Sequence, residues 1–157
     1  MAFRIRPATA GDTPATLQFI LALQRFEHAF EPNRRLDAAV AKDYHAKLMH
    51  DVAERDGSIF IAEDAAPIGW AVVHDGEDEL FVVESERRFA YIAELFVVEE
   101  ARGTGVGRAL IAACEGWART RGHRIAQIGV LPGNSRARTV YERAGFAPYT
   151  MQLRRYL

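Results

Sequence analysis

Ala90-Tyr-Ile-Ala-Glu-Leu-Phe-Val-Val-Glu-Glu-Ala-Arg-Gly-Thr-Gly-Val-Gly-Arg-Ala-Leu110 is the stretch from which the fold is read. From Tyr91 to Val98 only Glu94 is polar, the pattern of a strand covered on both faces. Glu99 to Arg102 ends that strand. Gly103, Gly105 and Gly107 follow, and Val106, Leu110, Ala113 and Trp117 then recur at helical spacing. A glycine loop feeding a helix N-terminus leaves free N–H groups pointing outward, and the helix dipole adds partial positive charge. The stretch is suited to hold a phosphate.

The kind of phosphate is narrowed by what the loop lacks. A dinucleotide fingerprint needs glycine where Arg108 stands, and no G-x-x-x-x-G-K-[ST] run is present. The loop is Arg-x-x-Gly-x-Gly, written Arg102-Gly-Thr-Gly105-Val-Gly107. It resembles the acyl-CoA pyrophosphate loop of the GCN5-related N-acetyltransferase (GNAT) family. Alone, the same three glycines also fit a turn needed only for tight strand–helix packing.

The whole chain sets outer bounds. Its 157 residues fit one domain over 1–157, long enough to bury a sizeable core. Apolar content of 49% and charged content of 26% are ordinary for a globular protein. A net charge of −1 argues against a general nucleic-acid binder. No apolar run approaches a membrane span, and the first residues lack a signal peptide's apolar core. The single Cys114 excludes an internal disulfide and a Cys-rich zinc site, and the five histidines show no metal-ligand spacing. The expectation is a cytoplasmic protein without a metal.

Taken in order, Phe3-Arg-Ile-Arg reads as a short strand stopped by Pro7. Asp12 and Pro14 open a helix with two apolar seams, Leu17, Ile20 and Leu21 on one side and Phe19, Leu23, Phe26 and Phe30 on the other. Asp37 opens a second helix with Val40, Tyr44, Leu48 and Val52 on one face. Ser58–Glu63 and Ile68–His74 read as a hairpin, and Leu80–Val83 as a flap that extends the sheet. After the central strand and helix come a strand from Arg124 to Leu131, a helix from Arg136 to Ala144 and a strand-like tail from Phe146 to Leu157. This order describes an α/β chain, a mixed sheet with helices on its faces.

A second motif carries the resemblance further. Asn134-Ser-Arg-Ala137-Arg-Thr-Val-Tyr141-Glu-Arg-Ala-Gly145-Phe146 matches the acetyltransferase pattern N-x-x-A-x-x-x-Y-E-x-x-G-F, about a strand's length after the glycine-loop helix. Ile59 to Phe146 is similar to the GNAT family throughout; the first two helices, which build acceptor specificity in that family, match only loosely. The resemblance implies the acyl-CoA N-acyltransferase fold, a mostly antiparallel central sheet flanked by helices, and acetyl-CoA as acyl donor. It implies a bulge that parts the central strand from its neighbour. Backbone groups of Leu95, Phe96 and Val97 would then bind the pantetheine arm, with the Val97 N–H facing the thioester carbonyl. It also implies that the pyrophosphate rests on N–H groups of Gly103, Thr104, Gly105, Val106, Gly107 and Arg108, helped by Arg102 or Arg108, and that Asn134 bonds the pantetheine.

An alkylammonium has a pKa of about 10, so a base must take a proton before the amine attacks. Glu94 is the candidate: the alternation puts it on a face with Ile92, Phe96 and Val98, and apolar neighbours raise a carboxyl toward neutrality. Tyr141 stands where the family places the acid that protonates the leaving thiolate. Pairing with an arginine is the structural alternative for Glu94, and packing beside the sulfur for Tyr141. His74 and the acidic run Asp75–Glu79 either line the acceptor mouth or form a solvated turn. The expected activity is acetyl transfer to a primary amine of a small molecule. The alternatives are a protein N-terminus or lysine as acceptor, or a CoA-binding sensor without catalysis. The Phe19–Phe30 seam and the apolar tail raise the expectation of a homodimer.

Overall fold

The computed structural model describes residues 2–157. The chain forms β1 (Arg4–Pro7), α1 (Thr13–His28), α2 (Ala38–Glu54), β2 (Ser58–Glu63), β3 (Pro67–Glu77) and α3 (Glu84–Arg87). It continues with β4 (Arg88–Val97), α4 (Val106–Thr120), β5 (Ala126–Ile128) and α5 (Ser135–Arg143). The five strands lie side by side in chain order. All pairs are antiparallel except β4 with β5, which run parallel and are joined through α4.

Two cores sit on the two faces of the sheet. On one, Val106, Leu110, Cys114 and Ala118 of α4 pack on Ala71, Val73, Ala90 and Ile92. On the other, Phe19 and Ile20 of α1 and Leu48 of α2 pack on Ile61, Trp70, Val72 and Phe96. Alternate residues of β3 serve opposite faces, as the two-residue period of a strand requires. Asp37 caps α2 as its sequence position suggests, with Oδ1 accepting from the Val40 N–H at 3.0 Å. Asp12 departs from the expected capping role. Its carboxylate instead takes two bonds from Arg6 and one from the Thr9 N–H, tying β1 to the start of α1. That guanidinium holds the Asp12 carboxyl well below the usual carboxylate range.

The decisive irregularity is in β4. Val72 pairs with Glu94, but Val73 pairs with Ile92, so Ala93 is an extra residue without a partner on β3. One inserted residue reverses which way the following side chains point. Ala90 and Ile92 face the α4 side; beyond the bulge, Leu95 and Val97 take that side while Phe96 joins the α1–α2 core. Glu94 therefore shares its face with Phe96 and not with Ile92, which corrects simple alternation. The pairing of β4 with β5 stops at the same place, at Ile92 with Ile128. Past it the two strands part.

Three stretches differ from expectation. The strand expected over 124–131 is only Ala126–Ile128. Leu80, Phe81 and Val83 do not extend the sheet: they stand in an exposed turn, with the Val82 N–H on the Glu79 carbonyl. The tail after Gly145 forms no strand. Pro148 lacks a donor N–H, and three residues of β5 offer little edge on which a strand could gain its hydrogen bonds.

Candidate active site

Where β4 and β5 part, a cleft of about 450 Å³ opens, and α4, α5 and the end of α1 close around it. Its floor is β4 from Ile92 to Val97. The Val98 N–H bonds the Ile68 carbonyl across to β3. By the alternation of an antiparallel ladder, the Phe96 N–H also faces β3, whereas the N–H groups of Leu95 and Val97 face the side that β5 has left. Two of the three predicted pantetheine groups thus stand open; Phe96 contributes its ring to the wall.

The glycine loop lies at one end of the cleft. Gly103 and Gly105 have φ of 82° and 94°, values that favour glycine, and nothing lies within 4 Å of where a Cβ would stand on either. The first helical bond of α4 is that of the Ala109 N–H to the Gly105 carbonyl, so the preceding N–H groups have no partner within the helix. Thr104 braces the loop through its hydroxyl to the Ala101 carbonyl, at 2.6 Å. Arg108 is exposed and forms no ion pair among the described residues. Arg102 is used differently: its Nε donates to the Val97 carbonyl at 2.9 Å and its guanidinium lies over Phe26 and Phe96. It secures the end of β4 against α1. Arg136 lines the cleft, whereas Arg138 pairs with Glu142 on the outer face of α5.

The other end is acidic. Glu94 is 7% exposed, and its Oε1 accepts from the Tyr44 hydroxyl at 2.7 Å. Its Oε2 is buried without a hydrogen-bond partner. Burial pushes the carboxyl up to about 7, against the lowering effect of Tyr44, and the nearby charge of Glu27 pushes the same way. Tyr141, on α5, lines the same cleft; burial and the charges of Glu94 and Glu27 push its phenol up to about 12, so it keeps its proton at neutral pH. Asn134 caps α5 through the Ala137 N–H at 3.1 Å and also lines the cleft. Cationic side chains thus gather by the glycine loop and α5, and the carboxyls of Glu27 and Glu94 at the end bounded by α1.

Two residues at the site escaped the sequence. Tyr44 reads as one member of an apolar helical face, and Glu27 as a polar residue late in an amphipathic helix. No local signal marks either. His74 and the acidic run lie elsewhere: His74 is buried with Nδ1 at 2.8 Å from the Asp75 carbonyl, and Asp75 binds His123 and Arg88. They brace the far end of β3 and do not line the cleft. Cys114 is a core residue, with its thiol pushed up to about 12 by burial. No group of metal ligands occurs among the described residues. Among them, too, no helix is long and apolar enough to cross a membrane.

A parallel strand pair that parts over a glycine-loop helix, with a buried carboxyl and a phenol in the opening, is the architecture of an acyl-CoA N-acyltransferase. The model of the acetyltransferase (GNAT) family matches residues 20–146. The chain belongs to that family, and it is an acetyltransferase. It is 28% identical over 144 residues to an aminoglycoside N(6')-acetyltransferase type 1 of Stenotrophomonas maltophilia, covering 90% of this chain and 84% of that one. Its fold is also that of a GCN5-related N-acetyltransferase from Ralstonia eutropha, with a TM-score of 0.76, 21% identity and 99% of each chain covered. AAC(6')-Iy, solved with a CoA-S-monomethyl-acetylneamine bisubstrate analogue, superposes with a TM-score of 0.69 at 21% identity over 100% of both chains.

Proposed function

We propose that this enzyme moves the acetyl group of acetyl-CoA to a primary amine of a small molecule, by direct attack with both substrates bound. The observation that carries the reading is Glu94: a residue of the cleft floor whose carboxyl has one buried oxygen unpartnered and is poised at about 7. A group half ionised near neutral pH can take a proton from an ammonium and pass it on. Acetyl-CoA supplies the activated acyl group. The residues present fit it, since the loop from Gly103 to Arg108 offers unpartnered N–H groups to a pyrophosphate, and the parted edge of β4 offers Leu95 and Val97 to an extended arm. The Val97 N–H is the donor for the thioester oxygen as negative charge grows there. Tyr141 keeps its proton and gives it to the departing sulfur, and Asn134 holds the arm beside α5.

A small acceptor is supported by the acidic end of the cleft and by the similarity to an aminoglycoside acetyltransferase. The test is thiol release from acetyl-CoA with polyamines, aminoglycosides, amino acids and short peptides, run on wild type, Glu94→Gln and Tyr141→Phe. Acceptor-dependent release from a small amine, lowered about 10²-fold or more in both variants, is expected. Release with peptides alone would reverse the acceptor assignment, and unaltered release in both variants would remove both catalytic roles.

For the assembly we propose a homodimer. Tyr149, Met151 and Leu153 alternate with polar residues along an exposed tail, and Leu80, Phe81 and Val83 stand exposed as well. Apolar surface of this extent left exposed on a folded chain marks a contact. The Phe19–Phe30 seam is not needed for it: Phe19 is in the core, Phe26 lines the cleft, and Phe30 packs edge-on to Phe26 and against Gly133.

A further inference from the structure

Glu94 is held by one hydrogen bond, and its donor comes from an element with no other part in the chemistry. Tyr44 lies in the second turn of α2, where Ala41 and Leu48 anchor the helix in the core. From there its hydroxyl reaches across to Glu94 Oε1 at 2.7 Å. We infer that Tyr44 is the positioning residue of the base: it holds Oε1, so that Oε2 is the oxygen that meets the ammonium N–H of the acceptor. The inference rests on the base reading of Glu94 given above.

Three observations support it. The bulge at Ala93 turns Glu94 toward α2, so the contact follows from the backbone and not from a chance rotamer. Oε2 is buried, lacks a partner and belongs to a residue of the cleft floor, so it is left for a donor that arrives with the acceptor. Tyr44 is itself half-buried, and burial with the charge of Glu94 pushes its phenol above its ordinary value. The phenol therefore donates at every working pH and never competes for the proton that Glu94 takes.

The surrounding groups have opposed signs. Tyr44 on α2 favours the ionised carboxylate, while Glu27 on α1, paired with Arg34, opposes it. Tyr141 on α5 feels the charges of both carboxyls, and Tyr91 on β4 adds to the upward push on Tyr44. No arginine or lysine forms an ion pair with Glu94 among the described residues, so nothing else offsets the cost of its charge. Removing Tyr44 and removing Glu27 should therefore move Glu94 in opposite directions.

The test reads Glu94 in the free protein, by infrared titration of the protonated carboxyl band that Glu94→Gln abolishes. In Tyr44→Phe the midpoint should rise by about one to two pH units, the worth of one hydrogen bond to a charged group. In Glu27→Gln it should fall. Near-ultraviolet circular dichroism and acetyl-CoA binding check that each variant folds. A fluorinated tyrosine at the same position, a stronger donor that keeps the ring, should lower the midpoint. A midpoint that ignores both Tyr44 replacements, or moves the other way, overturns the inference. The acid limb of thiol release, with neamine and spermidine as acceptor amines, should follow the infrared midpoint. A limb that stays while the midpoint moves would overturn the base reading and leave the hold of Tyr44 on Glu94 established.

Discussion

Replacing Glu94 by glutamine should stabilise this protein above neutral pH while disabling it. The carboxyl rises from an ordinary 4.5 to about 7 on folding, because burial disfavours its charge. Between these values the unfolded chain gives up the proton and the folded one keeps it. The Glu94 contribution to wild-type stability therefore falls as pH rises from about 4.5 to about 7, then levels. A shift of this size corresponds to about 3 kcal/mol. Glutamine keeps an oxygen for Tyr44 and never ionises, so the variant escapes that loss. For a chain of this length 1 kcal/mol moves the melting temperature by about 2–4 °C. The melting temperature of Glu94→Gln minus that of wild type should thus grow by roughly 6–12 °C between pH 4.5 and pH 8. Calorimetry or circular dichroism melts of the two proteins across that range supply the numbers, and other titrating groups cancel in the difference. A difference that stays flat with pH would refute the claim that folding desolvates this carboxyl. On the proposed role of Glu94 a stability–activity trade-off follows directly: the base is held in a place where its charge is costly.

Asp12 should behave with the opposite sign. Its folded value lies below the ordinary one, so its contribution is present above about pH 4 and is lost as pH falls further. Asp12→Asn should cost about 2 kcal/mol at pH 7, and the gap between the melting curves should close at lower pH. At the glycine loop, Gly105→Ala forces a Cβ into left-handed backbone at about 1–2 kcal/mol and should weaken acetyl-CoA binding in calorimetry. Gly107→Ala should change little, because a Cβ there would lie 3.8 Å from Val97 Cγ2 in ordinary contact; equal effects of the two would show that loop conformation is not what matters. Ending the chain after Ala147 should convert a dimer to a monomer in light scattering, and a monomeric full-length chain would dismiss the dimer.

Much of this was legible because it is local. The glycine loop, the apolar run of β4, the cap at Asp37 and the hairpin of β2 and β3 each declare themselves within a dozen residues, through backbone freedom, period and capping chemistry. Their order along the chain is enough to place the family. What is not local is the partner a segment meets. Leu80–Val83 and the tail after Gly145 are apolar enough for strands, but a strand is defined by the edge it meets, and neither meets one.

Glu94 and Tyr141 were named from the sequence, and the chemistry they suit is set by their residue types and by the motifs around them. Their setting was not legible there. One extra residue at Ala93 reverses the side of the sheet on which Glu94 emerges, parts β4 from β5, and brings the carboxyl to Tyr44, 50 positions away. A bulge is defined by register against a neighbouring strand, and a hydrogen bond between distant helix and strand by how they pack. Composition and periodicity along one chain carry neither, so the presence of a carboxyl at this point of β4 is a property of the sequence, and its orientation and ionisation are decided by the tertiary structure.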